Sequence, residues 1–496
     1  MNGHVNGHLA RNSAPETSYD VIVIGAGISG INAGYRLQTT LPDSTYTILE
    51  GRSDLGGTWS LFQYPGIRSD SDLYTFGFPF NPWTKDNPIA TGESIYEYMK
   101  DTASKFGINE HIQYRHKVAS ADWSSDAQLW RLEVDNEGTR KALYTKFIIM
   151  GTGYYDYEKP LEAKIPGLEN FKGTRVHPQF WPQDLDYKGK KAVVIGSGAT
   201  AITIVPALVE GGVGEVTMLQ RSPTYIMSVP QGAPFYDAYL PRSLSLWITR
   251  LQHIIIPYLL YLFCRKMPNA ARNMITGEAK KLLPKDFPMD PHFTPTYKPW
   301  DQRLCFCPEG DFFNAFATGR AHVVTGTIKT VTDDGITLEN GETLDTDIII
   351  TATGLNLSFC GHIALTVDKV PVSLPSKFLW RSSMLTGVPN LGLIIGYVNA
   401  SWTLGADSAS RLLCRLIKTM NEKGYSSATP KISEEEAKDP QLPLNLKSTY
   451  IKSGEKKMPS CGRKGPWMPR DNYIVDSWNA DRADLGTGLE FGRKST

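Results

Sequence analysis

The sequence predicts an α/β fold built from two Rossmann-like dinucleotide-binding domains with a helical insertion. Three observations carry that prediction. A nearly continuous apolar run opens into a glycine-rich turn at Tyr19 to Gly30, the arrangement recurs at Lys191 to Ala201, and two further apolar runs end in glycine at Gly153 and Gly354. Domains usually hold about 100 to 200 residues, so a chain of 496 residues has room for two or three.

Tyr19 to Ile24 (YDVIVI) has the unbroken apolarity of a parallel strand buried on both faces. GAGISG follows directly, which places Gly25, Gly27 and Gly30 at dinucleotide-fingerprint spacing ahead of a helix-compatible segment reaching about Gln38. The first glycine permits the tight turn, the second lets backbone approach a pyrophosphate, and the third lets the helix pack on the strand. The phosphates then meet the positive helix N-terminus. The second strand, Tyr46 to Leu49, ends in Glu50, twenty residues past Gly30. A carboxylate there accepts both ribose hydroxyls, which favours a free ribose over one bearing a 2'-phosphate and so suits FAD or NAD rather than NADP. The next segment, LGGTW (Leu55 to Trp59), resembles the loop that FAD-dependent two-domain oxidases and monooxygenases run along the flavin, and this points to FAD.

In the second half, KAVVIGSGATA (Lys191 to Ala201) places Gly196, Gly198 and Ala201 at the same spacing. After the strand Glu215 to Leu219, the position that held an acid in the first half reads Gln220, Arg221 and Ser222. Arginine at that offset forks onto a 2'-phosphate, so NADPH is the expected ligand. The closing runs FIIMGTG (Phe147 to Gly153) and IIITATG (Ile348 to Gly354) mark where the chain crosses between domains. The expected organisation is a disordered leader at 1–16, an FAD domain from 17–155 and 352–496, and an NADPH domain from 156–228 and 300–351. Residues 229–299, rich in proline, aromatics and helix formers and lacking strand alternation, read as a mainly helical insertion.

A net charge of +1 and a pI near 7.6 give no broad electrostatic footprint for nucleic acid or an anionic membrane, so small molecules are the expected partners. The leader lacks the apolar core of a signal peptide. Six cysteines in so long a chain form neither a disulfide framework nor a C-x-x-C pair, and they read as reduced thiols of a cytoplasmic protein. Cys305 and Cys307 have no His or Cys cluster at ligand spacing and are expected to pack. The most apolar stretch, Ile254 to Phe263, is interrupted by Pro257 and follows Arg250 and His253. A span needs roughly 20 apolar residues, so this stretch is expected to be a buried helix of the insertion rather than a transmembrane segment. Its alternative is a surface that touches membrane peripherally or admits an apolar substrate.

Between the two glycine turns lies FKGTRVHPQFWP, with Phe171, Gly173, His177, Trp181 and Pro182 in the order F-x-G-x-x-x-H-x-x-x-W-P. This resembles the fingerprint of Baeyer-Villiger monooxygenases; related flavin-containing monooxygenases usually carry Tyr or Phe where Trp181 stands. The likeness extends over nearly the whole chain beyond the leader and is closest to the ethionamide-activating branch of FAD-containing monooxygenases. LFQYPGIRSDSDLYTFGF, VVIGSGATA, VTMLQRSPTY, PWDQRLC, ITATGLNL and YVNASWTL all look like that branch. His177 and Trp181 are expected to shape the interdomain linker, since a single His in an aromatic setting is usually packed and hydrogen-bonded.

The resemblance implies that NADPH reduces the flavin, oxygen adds at flavin C4a, and the resulting peroxyflavin attacks a carbonyl carbon, turning a ketone into an ester or lactone. Its intermediates are anionic, so the site needs a fixed cation that does not titrate, a part suited to arginine. Arg303, in PWDQRLC, matches the family's active-site arginine, and Asp70, in YPGIRSDSD, matches the carboxylate that orients it. Carried over by position, Ser29, Gly57, Thr58, Trp59, Ser60, Leu61, Asp70 and Val118 should lie with FAD. Arg68, Ser69, the turn Gly196, Ser197, Gly198, Ala199, Thr200 and Ala201, and the pair Arg221 and Ser222 should face NADPH. Trp402 and Thr403, in NASWTL, are expected at the substrate pocket. Gln302 stands where many relatives carry a lysine that helps hold the 2'-phosphate, so the preference over NADH is expected to be weaker than usual. The same cofactors serve N- or S-oxygenating, hydroxylating and epoxidising enzymes, which product analysis separates. A disulfide reductase is opposed by the missing C-x-x-C and C-x4-C pairs, and a sensor without turnover by the intact glycine turns and Arg303.

Overall fold

A computed structural model describes residues 17–444 and 454–494; the expected leader lies outside the described residues. The first apolar run forms the strand Ser18–Ile24, which pairs in parallel with Tyr46–Leu49 on one side and Thr139–Met150 on the other. Val21, Ile22 and Val23 are wholly buried, the two-sided burial that unbroken apolarity predicts. Ile112–Gln113 extends the parallel row beyond Tyr46–Leu49. On the far side the chain runs up and down through His116–Ser124, Leu129–Asn136 and Thr139–Met150, an antiparallel meander. From the C-terminal part, Leu391–Leu393 joins in parallel with Thr139–Met150 and Ala364–Val367 in parallel with His116–Ser124, so this eleven-stranded sheet is assembled from both ends of the chain. The long amphipathic helix Trp402–Lys423 packs beside the helix Ile28–Thr40 and covers one face of the sheet.

The middle of the chain builds a second sheet of five parallel strands in the order Ala321–Thr325, Glu215–Gln220, Lys191–Ile195, Ile348–Thr351, Thr174–Val176. Its central strand feeds the helix Ala199–Glu210, and Phe312, Phe313 and Phe316 of the helix Asp311–Ala317 close the core beneath it. The predicted class, α/β with two Rossmann-like sheets, is what the chain adopts. Each glycine turn stands at the carboxyl edge of its sheet, where Ile24 is level with Leu49 and Met150, and Ile195 with Leu219 and Thr351.

The two passages between the sheets are tied together by Asp156, which is 2% exposed. Its Oδ1 accepts the backbone N–H groups of Glu158 and Lys159, and its Oδ2 accepts Asn356 Nδ2 at 2.9 Å and lies 3.0 Å from His362 Nε2. Its backbone carbonyl accepts Gln179 Nε2 at 2.7 Å, and its backbone N–H donates to the Asn356 carbonyl. One buried aspartate therefore bonds the outgoing passage, the returning passage and the segment after His177.

Between Ile226–Val229 and its parallel partner Cys305–Pro308 run the helices Arg242–Lys266 and Pro268–Leu282. The expectation that Ile254 to Phe263 is buried fails: of the first helix's 25 residues only Ser245, Thr249 and Cys264 are buried. The physical reason is that protein packs against one side only. There Arg250 donates to the Tyr74 and Gly77 carbonyls, while no described element covers the other side. Cys305 and Cys307 sit two apart on one strand face, both buried, and burial pushes each thiol up to about 12.

Candidate active site

Both glycine turns open onto one cleft of about 660 Å3. Gly25 and Gly196 take positive φ (+99° and +134°), and a Cβ there would meet the Gly151 carbonyl oxygen at 2.8 Å and that of Ala352 at 2.2 Å; these glycines are required by the protein itself. Gly27 and Gly198 differ. A Cβ on Gly27 would find only Gly57, at 3.7 Å, and one on Gly198 would find nothing within 4 Å, yet both residues line the cleft. These are the positions where backbone stands open to a ligand. The two helices they cap, Ile28–Thr40 and Ala199–Glu210, have no side-chain cap and no acid in the first turn, so their leading N–H groups are left for an anion.

The charge of the lining agrees. Arg68, Lys164, Arg221 and Arg303 line the cleft against a single carboxylate, Asp70. Arg303 Nη2 donates to Asp70 Oδ1 at 2.9 Å, and this pair also lines a second, smaller cavity of about 170 Å3, so it stands where the two adjoin. Arg68 is held differently, in an ion pair with Asp311. Arg221 and Ser222 are exposed at the cleft, and no carboxylate among the described residues pairs with Arg221.

The cleft brings together Gly27, Ser29, Gly57, Thr58, Trp59, Arg68, Ser69, Asp70, Gly196 to Thr200, Arg221, Ser222, Arg303 and Trp402. The remaining candidates lie around it. Gly30 packs helix on strand, since a Cβ there would come within 1.8 Å of the Gly25 carbonyl oxygen. Ala201 holds the corresponding place in the second half and is fully buried. Glu50 reaches back to the first turn, its Oε2 accepting the Ala26 N–H at 2.8 Å and its Oε1 the Arg52 N–H at 2.9 Å. Ser60 Oγ accepts Arg52 Nη1 at 2.7 Å, Leu61 ends the short helix Thr58–Leu61, and Val118 is buried in the meander. Trp402 Nε1 donates to Ser29 Oγ at 2.9 Å, fastening the C-terminal part to the first turn, whereas Thr403 is buried and donates to the Phe76 carbonyl.

Sequence reasoning passed over a tyrosine cluster. Tyr154, Tyr155 and Tyr157 line the cleft directly after the FIIMGTG run, whose glycine turn was the available signal. Tyr154 stacks on Trp402 with ring centroids 4.9 Å apart and shares a 3.0 Å hydrogen bond with Tyr155; Tyr157 does the same with Thr58 at 2.9 Å. Burial raises the Tyr154 phenol well above its ordinary range, with the neighbouring Tyr155 adding to the effect, so it keeps its proton at neutral pH. His177 behaves as a packed residue: its Nδ1 accepts the Gln179 N–H at 3.2 Å, and burial lowers its pKa.

Two sheets whose parallel strands each present a glycine turn to one cation-lined cleft define a two-dinucleotide oxidoreductase fold. The chain belongs to the flavin-binding monooxygenase-like family, whose profile matches residues 18–423. It is 44% identical over 461 residues to the FAD-containing monooxygenase EthA of Mycolicibacterium smegmatis, covering 92% of this chain and 94% of that one. To EthA of Mycobacterium tuberculosis it is 42% identical over 479 residues, covering 96% and 98%. An oxidized steroid monooxygenase bound to NADP has the same fold, with a TM-score of 0.76 at 20% identity over 96% of this chain and 100% of that one. Cyclohexanone monooxygenase from Rhodococcus sp. Phi1, bound to NADP+, gives 0.74 at 18% identity over 96% and 99%. The resemblance read from the motifs is borne out at the level of the family.

Proposed function

We propose that this chain is an FAD-dependent monooxygenase that consumes NADPH and O2 and inserts one oxygen atom beside a carbonyl, converting a ketone into an ester or lactone. The observation that carries the reading is the Arg303–Asp70 pair, 2.9 Å apart in the wall between the two cavities. FAD fits the first turn, where Gly27 is open, the helix N-terminus is uncapped and Thr58 and Trp59 continue the wall. NADPH fits the second turn, where Gly198 is open and Arg221 is free of carboxylate partners among the described residues. When bound, the flavin supplies two-electron transfer from NADPH and activation of O2.

The residues of the chain supply the rest. A guanidinium does not titrate in the working range, and Asp70 fixes where that of Arg303 points, so negative charge that develops on a carbonyl oxygen meets a cation already in position. Tyr154, which lines the same cleft, retains its O–H and shares it with Tyr155. Trp402, stacked on Tyr154 and bonded to Ser29, holds the first turn against the substrate side. All six cysteines are free and buried, in keeping with a reducing, cytoplasmic setting.

The test is product analysis on a ketone and a thioether given NADPH and oxygen. Oxygen inserted beside the carbonyl supports the reading, and product on sulfur alone overturns it in favour of heteroatom oxygenation. Arg303→Ala should still oxidise NADPH while ester formation falls about 10²–10³-fold. Wild-type rates of ester formation in that variant would remove Arg303 from the mechanism.

A further inference from the structure

The helix Arg242–Lys266 has its amphipathicity turned outward. Its inner side carries Ser245, Thr249, Arg250 and His253, bound to the body, whereas its outer side carries Leu244, Trp247, Leu251, Ile255 and Leu259 at helical spacing of three and four. Trp247 is 62% exposed and Ile256 61%, and Phe235, just before the helix, is 84% exposed. A second element extends the patch. The helix Tyr473–Arg482 exposes Ile474, Val475 and Trp478, and the residue preceding it, Asn472, bonds Tyr258 of the first helix at 2.9 Å. An apolar surface on two adjoining helices is more than scattered exposed side chains, and it marks a docking face.

We propose that this face seats the protein on an anionic lipid bilayer. The charge argues for lipid. Of the seven cations on Arg242–Lys266 and Pro268–Leu282, Arg250 and Arg272 are turned inward onto backbone carbonyls, and Lys281 pairs with the one carboxylate, Glu278. Arg242 pairs with Asp237 and Asp86 and Arg265 with Asp301, whereas Lys266, Lys280 and, on the helix Tyr473–Arg482, Arg482 have no carboxylate partner among the described residues; the carboxylates of that last helix, Asp476 and Asp481, are bound by Tyr397 and Arg411. Cations at both ends of an apolar outer stripe are the pattern of a helix lying in the headgroup plane. A second copy on a two-fold axis would oppose the same cations across the interface and suits the face less well.

The helix lies on the membrane and does not cross it. By length and composition it qualifies as a span, with a mean hydropathy of 1.3 over 18 residues. Crossing would strip Arg250 from the Tyr74 and Gly77 carbonyls and His253 from the Tyr74 ring, 4.8 Å away; lying flat keeps every one of these contacts. A reason for the seating is at hand. The smaller cavity is lined by Ile254, Pro257 and Tyr258 of this helix, by Ile474 of the other, and by Arg303, which also lines the larger cleft. A cavity that lies between the docking helices and that arginine would receive compounds dissolved in the bilayer.

The experiment is flotation of the FAD-loaded enzyme with vesicles of phosphatidylglycerol and phosphatidylcholine in equal parts. The enzyme should float, and the triple variant Trp247→Ser, Ile256→Ser, Leu259→Ser should bind about tenfold more weakly or less while keeping its flavin spectrum. An enzyme that stays at the bottom of the gradient overturns the proposal. So does a triple variant that floats as the parent does. A parent that elutes as a dimer, ignores vesicles and is split by the triple variant would assign the face to a second copy instead. Flotation is read without turnover, so its outcome is independent of the oxygenation reading.

Discussion

Three arginines line the same cleft, and what each touches separates their roles. Arg303 is bonded to Asp70 and Arg68 to Asp311, so both are fixed before any ligand arrives. Arg221 is exposed and lacks a carboxylate partner among the described residues, as the phosphate contact proposed for it requires. A charge-assisted hydrogen bond contributes about 1.5–3 kcal/mol, so Arg221→Ala should weaken NADPH binding about 10- to 100-fold. NADH, which has no 2'-phosphate, should bind the variant as it binds the parent. Titration of both nucleotides against both proteins checks this; an equal loss for each would show that Arg221 does not contact that phosphate. His177 shows the opposite use of a polar residue. With Nδ1 engaged as acceptor and its pKa lowered by burial, it packs the linker rather than moving protons.

At the scale of elements, the two fingerprints solve one packing problem with different clearances. Ala201 is fully buried where its helix meets its strand, so the second contact accommodates a methyl group. At Gly30 the same methyl would overlap the Gly25 carbonyl oxygen at 1.8 Å, and that atom belongs to the turn itself. Gly30→Ala must push the helix off its strand, at about 1–3 kcal/mol or more, and displace the uncapped N–H groups of the first turn. The variant should purify with its flavin largely lost and a lowered thermal midpoint. Full flavin content and an unchanged midpoint would show that the helix has more freedom than this contact implies.

For the molecule as a whole, two sheets share one site only while the passages between them hold their course, and Asp156 is bonded to both. Burial by itself would raise its pKa. The His362 side chain and the Glu158 and Lys159 amides outweigh that and hold it below the usual carboxylate range. The sign follows: the stability it contributes is present above about pH 4, where the unfolded carboxyl is already ionised, and is lost as pH falls through the lower folded value. Asp156→Ala takes the acceptor from Asn356 and from the part-buried Glu158 and Lys159 amides and should destabilise the protein by about 1–3 kcal/mol, with weaker cleft binding of both nucleotides. Calorimetry at neutral pH checks it. A midpoint within experimental error of the parent would mean the passages are held elsewhere.

Much of this molecule is legible without coordinates, and the reason is local. A strand, a turn and a helix N-terminus are specified within a dozen residues, so Gly25, Gly27, Gly30, Gly196 and Gly198 could be read from spacing, and Arg221 from its distance to a turn. The pairing of Arg303 with Asp70, 233 positions apart, was reachable only through resemblance to a family, because no local pattern links such residues. Neither spacing nor resemblance revealed Asp156 or the Tyr154 cluster, whose roles depend on neighbours distant in sequence. The helix Arg242–Lys266 marks the boundary most plainly: its sequence states that it is apolar, but only the packing of everything else decides which side is covered. Sequence determined the two strand–turn–helix units and the glycines each turn requires, since short-range backbone geometry dictates them. Tertiary structure alone decided which side chains meet in the cleft and which apolar face was left to the solvent, since contact and burial belong to the assembled chain.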